Sequence, residues 1–187
     1  MAKILGNLNT TLLIGLVLAI ALIFYAHGDA TTANQIFRWF HAFIGILWIG
    51  LLYYFNFVQI PAMAAIPAEQ KPAISKHIAP SALFYFRWAA AFTVLTGLIV
   101  AHLGGFLHQA LMLQEGYRLI GIGMWLAIIM AANVWFIIWP NQKKALGIVE
   151  ASDEQKANAG KIAMMASRTN TLLSLPMLYS MVNANMG

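Results

Sequence analysis

The residues of this sequence best suited to chemistry are two histidines set near the ends of long apolar stretches. His41 lies about a turn and a half into an apolar run at residues 36–60, and His102 closes the next one, at residues 80–103. Consecutive membrane helices run antiparallel, so the start of one and the end of the next lie at the same depth. At 1.5 Å per residue, His41 falls within about 10 Å of that surface. Two imidazoles at matched depth can ligate one iron axially. Arg38 lies one turn from His41, where a guanidinium pairs with a carboxylate of a bound group. Gly45, four residues on, leaves the same face flat. Together these residues predict a b-type haem, with His41 and His102 as ligands, Arg38 beside a propionate and Gly45 beneath the macrocycle. His27 and His108 are alternatives to His102 as the partner of His41.

A second group is formed by Arg87, Asn133, Arg168 and Asn170, which fall at comparable depth toward the other ends of the apolar stretches. Ionisable groups inside membrane spans are costly and are often functional. Two guanidiniums with no carboxylate in any span predict a compensating anion or carbonyl, so this group is a candidate anion or substrate site. Snorkelling to lipid headgroups is the plainer alternative.

The elements that position these residues follow from composition. Of 187 residues, 61% are hydrophobic and only 9% charged, against roughly 25% charged in a soluble domain. The chain therefore reads as a single all-α integral membrane domain over residues 1–187. About five transmembrane helices are expected, near residues 10–26, 36–60, 80–103, 119–139 and 162–182. Residues 106–113 form a short amphipathic segment in the interface. Residues 68–79 read as a loop after Pro61 and Pro67, and Pro140 reads as the stop of the fourth span. The spacing of Ser152 and Gln155 predicts a capping box and a helix start, and Pro176 predicts a kink in that helix. No internal repeat is visible.

The net charge of +5 does not imply nucleic acid, because Lys71, Lys76, Lys143, Lys144, Lys156 and Lys161 all fall in two connections on one side. The opposite connections hold little beyond Asp29, Glu115 and Arg118. The positive-inside rule then predicts a cytoplasmic N-terminus and an outer C-terminus. With no Cys, the sequence excludes disulfides, thiolate metal sites and covalent haem attachment through C-x-x-C-H.

Three runs carry a family resemblance. RWFHAFIGILWIG at 38–50, followed by Tyr53, Tyr54 and Phe55, resembles the opening helix of the N-terminal membrane domain of bacterial membrane-bound urate oxidases. IMAANVWFIIWPNQKK at 129–144 resembles that domain's strongest signature, and SRTNTLLSLP at 167–176 its closing motif. FRW at 86–88, up to Thr96 and Gly97, is a weaker match. The resemblance implies a multi-span protein of a bacterial inner membrane, linked to urate hydroxylation, with electrons passing to a cytochrome c. With no Cys and fewer spans, this chain is expected to be a short form lacking that cytochrome.

The leading expectation is a membrane redox protein that binds b-type haem and passes electrons to a separate cytochrome or enzyme. The alternatives are an oxidoreductase of the urate hydroxylase type with a separate acceptor, and a non-catalytic small subunit or assembly factor of a larger complex. The expected partners are the lipid bilayer, a cytochrome c or larger membrane complex, and a second copy of the chain; no nucleic acid is expected.

Overall fold

The computed structural model describes residues 2–28 and 32–184; Asp29 lies outside them. The described residues form helices and turns, with no strand among them. A short α1 (Ala2–Leu5) precedes α2 (Leu8–His27), which Asn7 caps through a bond from the Thr10 amide. Next come α3 (Ala33–Ala65) and α4 (Lys71–Leu103), then the short α5 (Leu107–Leu111), α6 (Arg118–Ala145) and finally α7 (Asp153–Asn183). Four of these, α2, α3, α4 and α6, are long and apolar enough to cross a membrane.

Helix α7 is the fifth long helix. It begins at the expected capping box: the Gln155 amide donates to Ser152 Oγ, and the Ser152 amide donates to Gln155 Oε1. Its buried face is Ala159, Ala163, Ser167, Asn170, Ser174, Met177 and Ser180. The spacing is three or four residues throughout, which puts a stripe of small and polar groups on one side. Lipid is as apolar as a leucine side chain, so helices in a membrane associate through close packing of small residues and interhelical hydrogen bonds. Helix α7 is the least hydropathic of the long helices, through Asp153, Glu154, Gln155, Lys156 and Lys161 near its start together with the polar groups of this stripe.

Helices α3, α4, α6 and α7 form the core. α4 packs along α3 and α6, and α7 packs along α6 and closes against α3. The buried centre holds Trp48, Leu52, Phe86, Met130 and Val134. A second cluster joins Ala101, Phe106, Ala110, Ile120 and Met124. The amphipathic segment expected in the interface is thus docked against α6. None of the residues of α2 is buried.

Two expectations about prolines need correction. Pro61 and Pro140 do not end their helices, and residues 71–79 are helical rather than a loop. In each case a π turn precedes the proline: Tyr54–Gln59 before Pro61, Ile74–Ile78 before Pro80, and Val134–Ile138 before Pro140. A proline has no amide hydrogen and its ring crowds the carbonyl four residues back. The π turn widens the helix just ahead of it. The amides of Ile60, Ala79 and Trp139 bond to the carbonyls of Phe55, Ile74 and Val134, five residues back. The helix axis continues past the proline.

The closest backbone approach near α5 is at Gly121, where a Cβ would run into the Ala110 carbonyl oxygen and the Leu113 side chain. Gly121→Ala is expected to cost about 1–3 kcal/mol through overpacking. Thermal unfolding in detergent should show a lowered midpoint, with Gly15→Ala, where a Cβ meets nothing within 4 Å, as the unaffected control.

Candidate functional site

His41 points from α3 into the contact with α4. Its Nδ1 lies 2.9 Å from the Thr93 carbonyl oxygen and 3.2 Å from Thr96 Oγ1. The Thr96 hydroxyl donates to the Phe92 carbonyl at 2.6 Å, so both neighbours of Nδ1 act as acceptors. The ring hydrogen of neutral His41 is therefore assigned to Nδ1, which leaves the lone pair on Nε2. Gly97 completes the seat. A Cβ there would stand 2.9 Å from His41 Cε1, so the imbalance in size between glycine and any other residue is what admits the imidazole. The flat surface at Gly97 is covered by His41 itself rather than left for a macrocycle.

Beside this imidazole lies a cavity of about 570 Å³ between α3, α4, α6 and α7. Its wall is almost wholly apolar, and Gly45, Trp48, Met124, Met177 and Met181 contribute to it with His41. Apart from His41, the three methionine thioethers are the lining side chains able to ligate a soft or borderline metal. A volume within roughly 300–1,000 Å³, with few polar groups, is typical of sites for cofactors and small ligands. Gly45 also faces Thr93, whose methyl would lie 3.7 Å from a Cβ added there. Trp48 is fully buried, and its indole nitrogen has no acceptor.

The other residues expected at this end are not brought to the cavity. His102 is exposed in the last turn of α4 and does not line it. It follows Gly97 by five residues, about 140° round a helix of 3.6 residues per turn, so the α3-facing side that carries Gly97 turns His102 away. Arg38 is exposed on α3, one turn from His41 and outside the lining. His27 and His108 are exposed too, and His27 Nδ1 lies 3.3 Å from Gln35 Nε2. No group of three or more His, Cys, Asp or Glu side chains is placed to hold a metal ion among the described residues.

The four residues expected at the other end divide. Asn133 and Asn170 meet: Asn133 Nδ2 donates to Asn170 Oδ1 at 2.7 Å and to the Ala166 carbonyl at 2.9 Å, and Asn170 Nδ2 donates to the Met130 carbonyl at 3.0 Å. Asn170 is fully buried. Arg87 lies instead over the ring of Trp139, 3.9 Å from its centroid, where the ring face stabilises the cation. Arg168 is exposed, because it stands two residues from Asn170, about 200° away round the helix. No anion site with two guanidiniums is assembled. Two further pairs escaped the sequence reading: Asn56 Nδ2 donates to Ser167 Oγ at 2.8 Å, and Tyr53 Oη bonds Ser174 Oγ at 2.9 Å. The i, i+3 or i+4 spacing of Ser167, Asn170 and Ser174 was the available signal.

Asn170→Ala is expected to destabilise the protein by about 1–3 kcal/mol, because it removes the buried bonds to the Met130 carbonyl and from the Asn133 amide. A double-mutant cycle with Asn133→Ala in detergent unfolding should give a coupling of about 0.6–1.7 kcal/mol, the range for interhelical hydrogen bonds in membranes. Additivity of the two losses would show that the pair does not act as a unit.

No curated protein and no solved structure matches the chain. One family model does, described as urate oxidase N-terminal, over residues 106–187. That stretch contains the runs at 129–144 and 167–176; those at 38–50 and 86–97 lie outside it. The matched stretch comprises α5, α6 and α7, and the likeness to the urate oxidase N-terminal family lies in these helices.

Proposed function

We propose that this chain is a membrane-embedded redox protein that binds b-type haem in the cavity beside His41. The observation that carries the reading is the state of that imidazole. A metal-ligating histidine usually donates its second ring nitrogen to a carbonyl or carboxylate, which fixes its tautomer and its orientation. His41 has this arrangement through Thr93, with Nε2 left as the ligating atom and an apolar cavity beside it. A thioether from Met124, Met177 or Met181, rather than the His102 imidazole, would help His41 hold the iron. His/Met ligation of haem is known chemistry and raises the reduction potential. Arg38, one turn away at the exposed rim, remains the proposed propionate partner. Bound haem would supply one-electron transfer to a separate cytochrome or enzyme.

The proposed setting is a bacterial inner membrane crossed five times, with α7 as the fifth span, a cytoplasmic N-terminus and an outer C-terminus. The support is the Lys-rich side formed by the connections after α3 and α6 and the packing of α7 along α6. A second reading, an oxidoreductase of the urate hydroxylase type with a separate acceptor, is favoured by the family match at residues 106–187. In that case its anion contacts do not come from Arg87, Asn133, Arg168 and Asn170 as one set, and urate consumption by membranes should depend on the protein.

Protein purified from its native membrane is expected to show a Soret band and a sharp α-band on reduction, with a b-type pyridine haemochrome. His41→Ala should remove most of the Soret absorbance. His102→Ala should leave it, whereas replacing the ligating methionine by leucine should lower the potential without removing the haem. A full Soret band in the His41→Ala protein would overturn the assignment.

A further inference from the structure

The four-helix core carries a second cavity, of about 320 Å³, at its Lys-rich end. Each of the three π turns contributes to its wall: Phe55 and Gln59 from α3, Ser75 from α4 and Ile138 from α6. Pro61, Pro80 and Pro140 set these turns in the sequence, and three helices widened at one level leave this space between them. π turns inside α-helices recur at functional sites.

The lining has a definite chemistry. It holds the amides of Gln59 and Gln142, the hydroxyls of Ser75 and Ser167, and the rings of Phe55 and Phe86, with no charged side chain. The two rings meet edge to face, with centroids 5.5 Å apart. Gln59 Oε1 is buried with no donor. Ser167 Oγ accepts from Asn56 Nδ2, which leaves its own hydrogen free to donate. The Ser75 hydroxyl reaches the Pro72 carbonyl only at 3.5 Å. Amides and hydroxyls both donate and accept, so one set of groups serves a ring carbonyl and a ring hydroxyl equally well. The absence of charge in the lining selects an uncharged ligand, and the half-buried Ile60 and Met63 extend the apolar wall along which a hydrocarbon tail would lie.

We infer that this cavity binds the ring of a membrane quinone in both its quinone and quinol forms, held by Gln59, Gln142 and Ser167. A quinone has the required features together: a flat uncharged ring, two oxygens that alternate between carbonyl and hydroxyl, and an apolar tail. The inference rests on the redox reading for its sense, because it names the membrane reductant, but the binding itself does not depend on haem.

The test is calorimetric titration of the purified full chain, in phosphatidylcholine nanodiscs, with decyl-ubiquinone. Saturable binding with one site per chain is expected. Gln59→Leu combined with Gln142→Leu, which keeps the volume and removes the hydrogen bonds, should weaken it at least about tenfold. Ser75→Ala with Ser167→Ala provides an independent pair if the first fails to fold, with helicity and gel-filtration elution as the check. His41→Ala should bind the quinone unchanged; unsubstituted protein from the native membrane that binds quinone but shows no Soret band would sink the haem reading alone. Non-saturable partitioning into empty and loaded nanodiscs alike, or unchanged affinity in both folded double variants, would overturn the inference. So would tighter binding of uracil, an uncharged cyclic imide without a tail, than of decyl-ubiquinone.

Discussion

The structure depends on the polar stripe of α7. In lipid an apolar face gains little from choosing one apolar neighbour over another, so hydrogen bonds and close contacts decide which helices meet and at what height. Ser167 takes Asn56 of α3, Asn170 takes Asn133 of α6, and Ser174 takes Tyr53 of α3. One helix face thereby fixes two others over roughly two turns. Both cavities have α7 in their walls: Met177 and Met181 stand in one, Ser167 in the other.

The remaining side of the bundle, α3 against α4, is registered differently. There a ring fits a gap: His41 bonds Thr93 and lies on Gly97. Near the helix ends, Asn34 Nδ2 adds a bond to the Val100 carbonyl at 3.2 Å. The same contact that aligns the two helices also orients the imidazole, so structure and candidate chemistry share one set of atoms. A ligand group oriented by backbone needs no further support to hold its tautomer.

Much of the architecture was legible in the sequence. Four long apolar runs, the Ser152–Gln155 capping box and the similar depth of Asn133 and Asn170 could be read from period and spacing. What was not legible came from angular phase and from proline. Matching depth brought His41 and His102 together on paper, but 140° of helix rotation separates Gly97 from His102. The same reasoning applies to Arg168 and Asn170, two residues apart and on opposite sides. Arg87 was read as seeking an anion, and an aromatic ring met that need instead. Pro61 and Pro140 read as stops because the sequence does not reveal that a π turn can carry a helix past them.

Helix α2 has no buried residue, and this divides the molecule into two thermodynamic parts. Membrane proteins are built by insertion of individual helices followed by their association. In a bilayer the core would need the second stage, since its polar pairs form only when the helices meet. The first is enough for α2: its own backbone hydrogen bonds and its apolar side chains meet every requirement of the bilayer. Its sequence is therefore constrained by hydrophobicity and length rather than by shape. Exchange for an unrelated apolar helix of equal length would leave the stability of the core as it was.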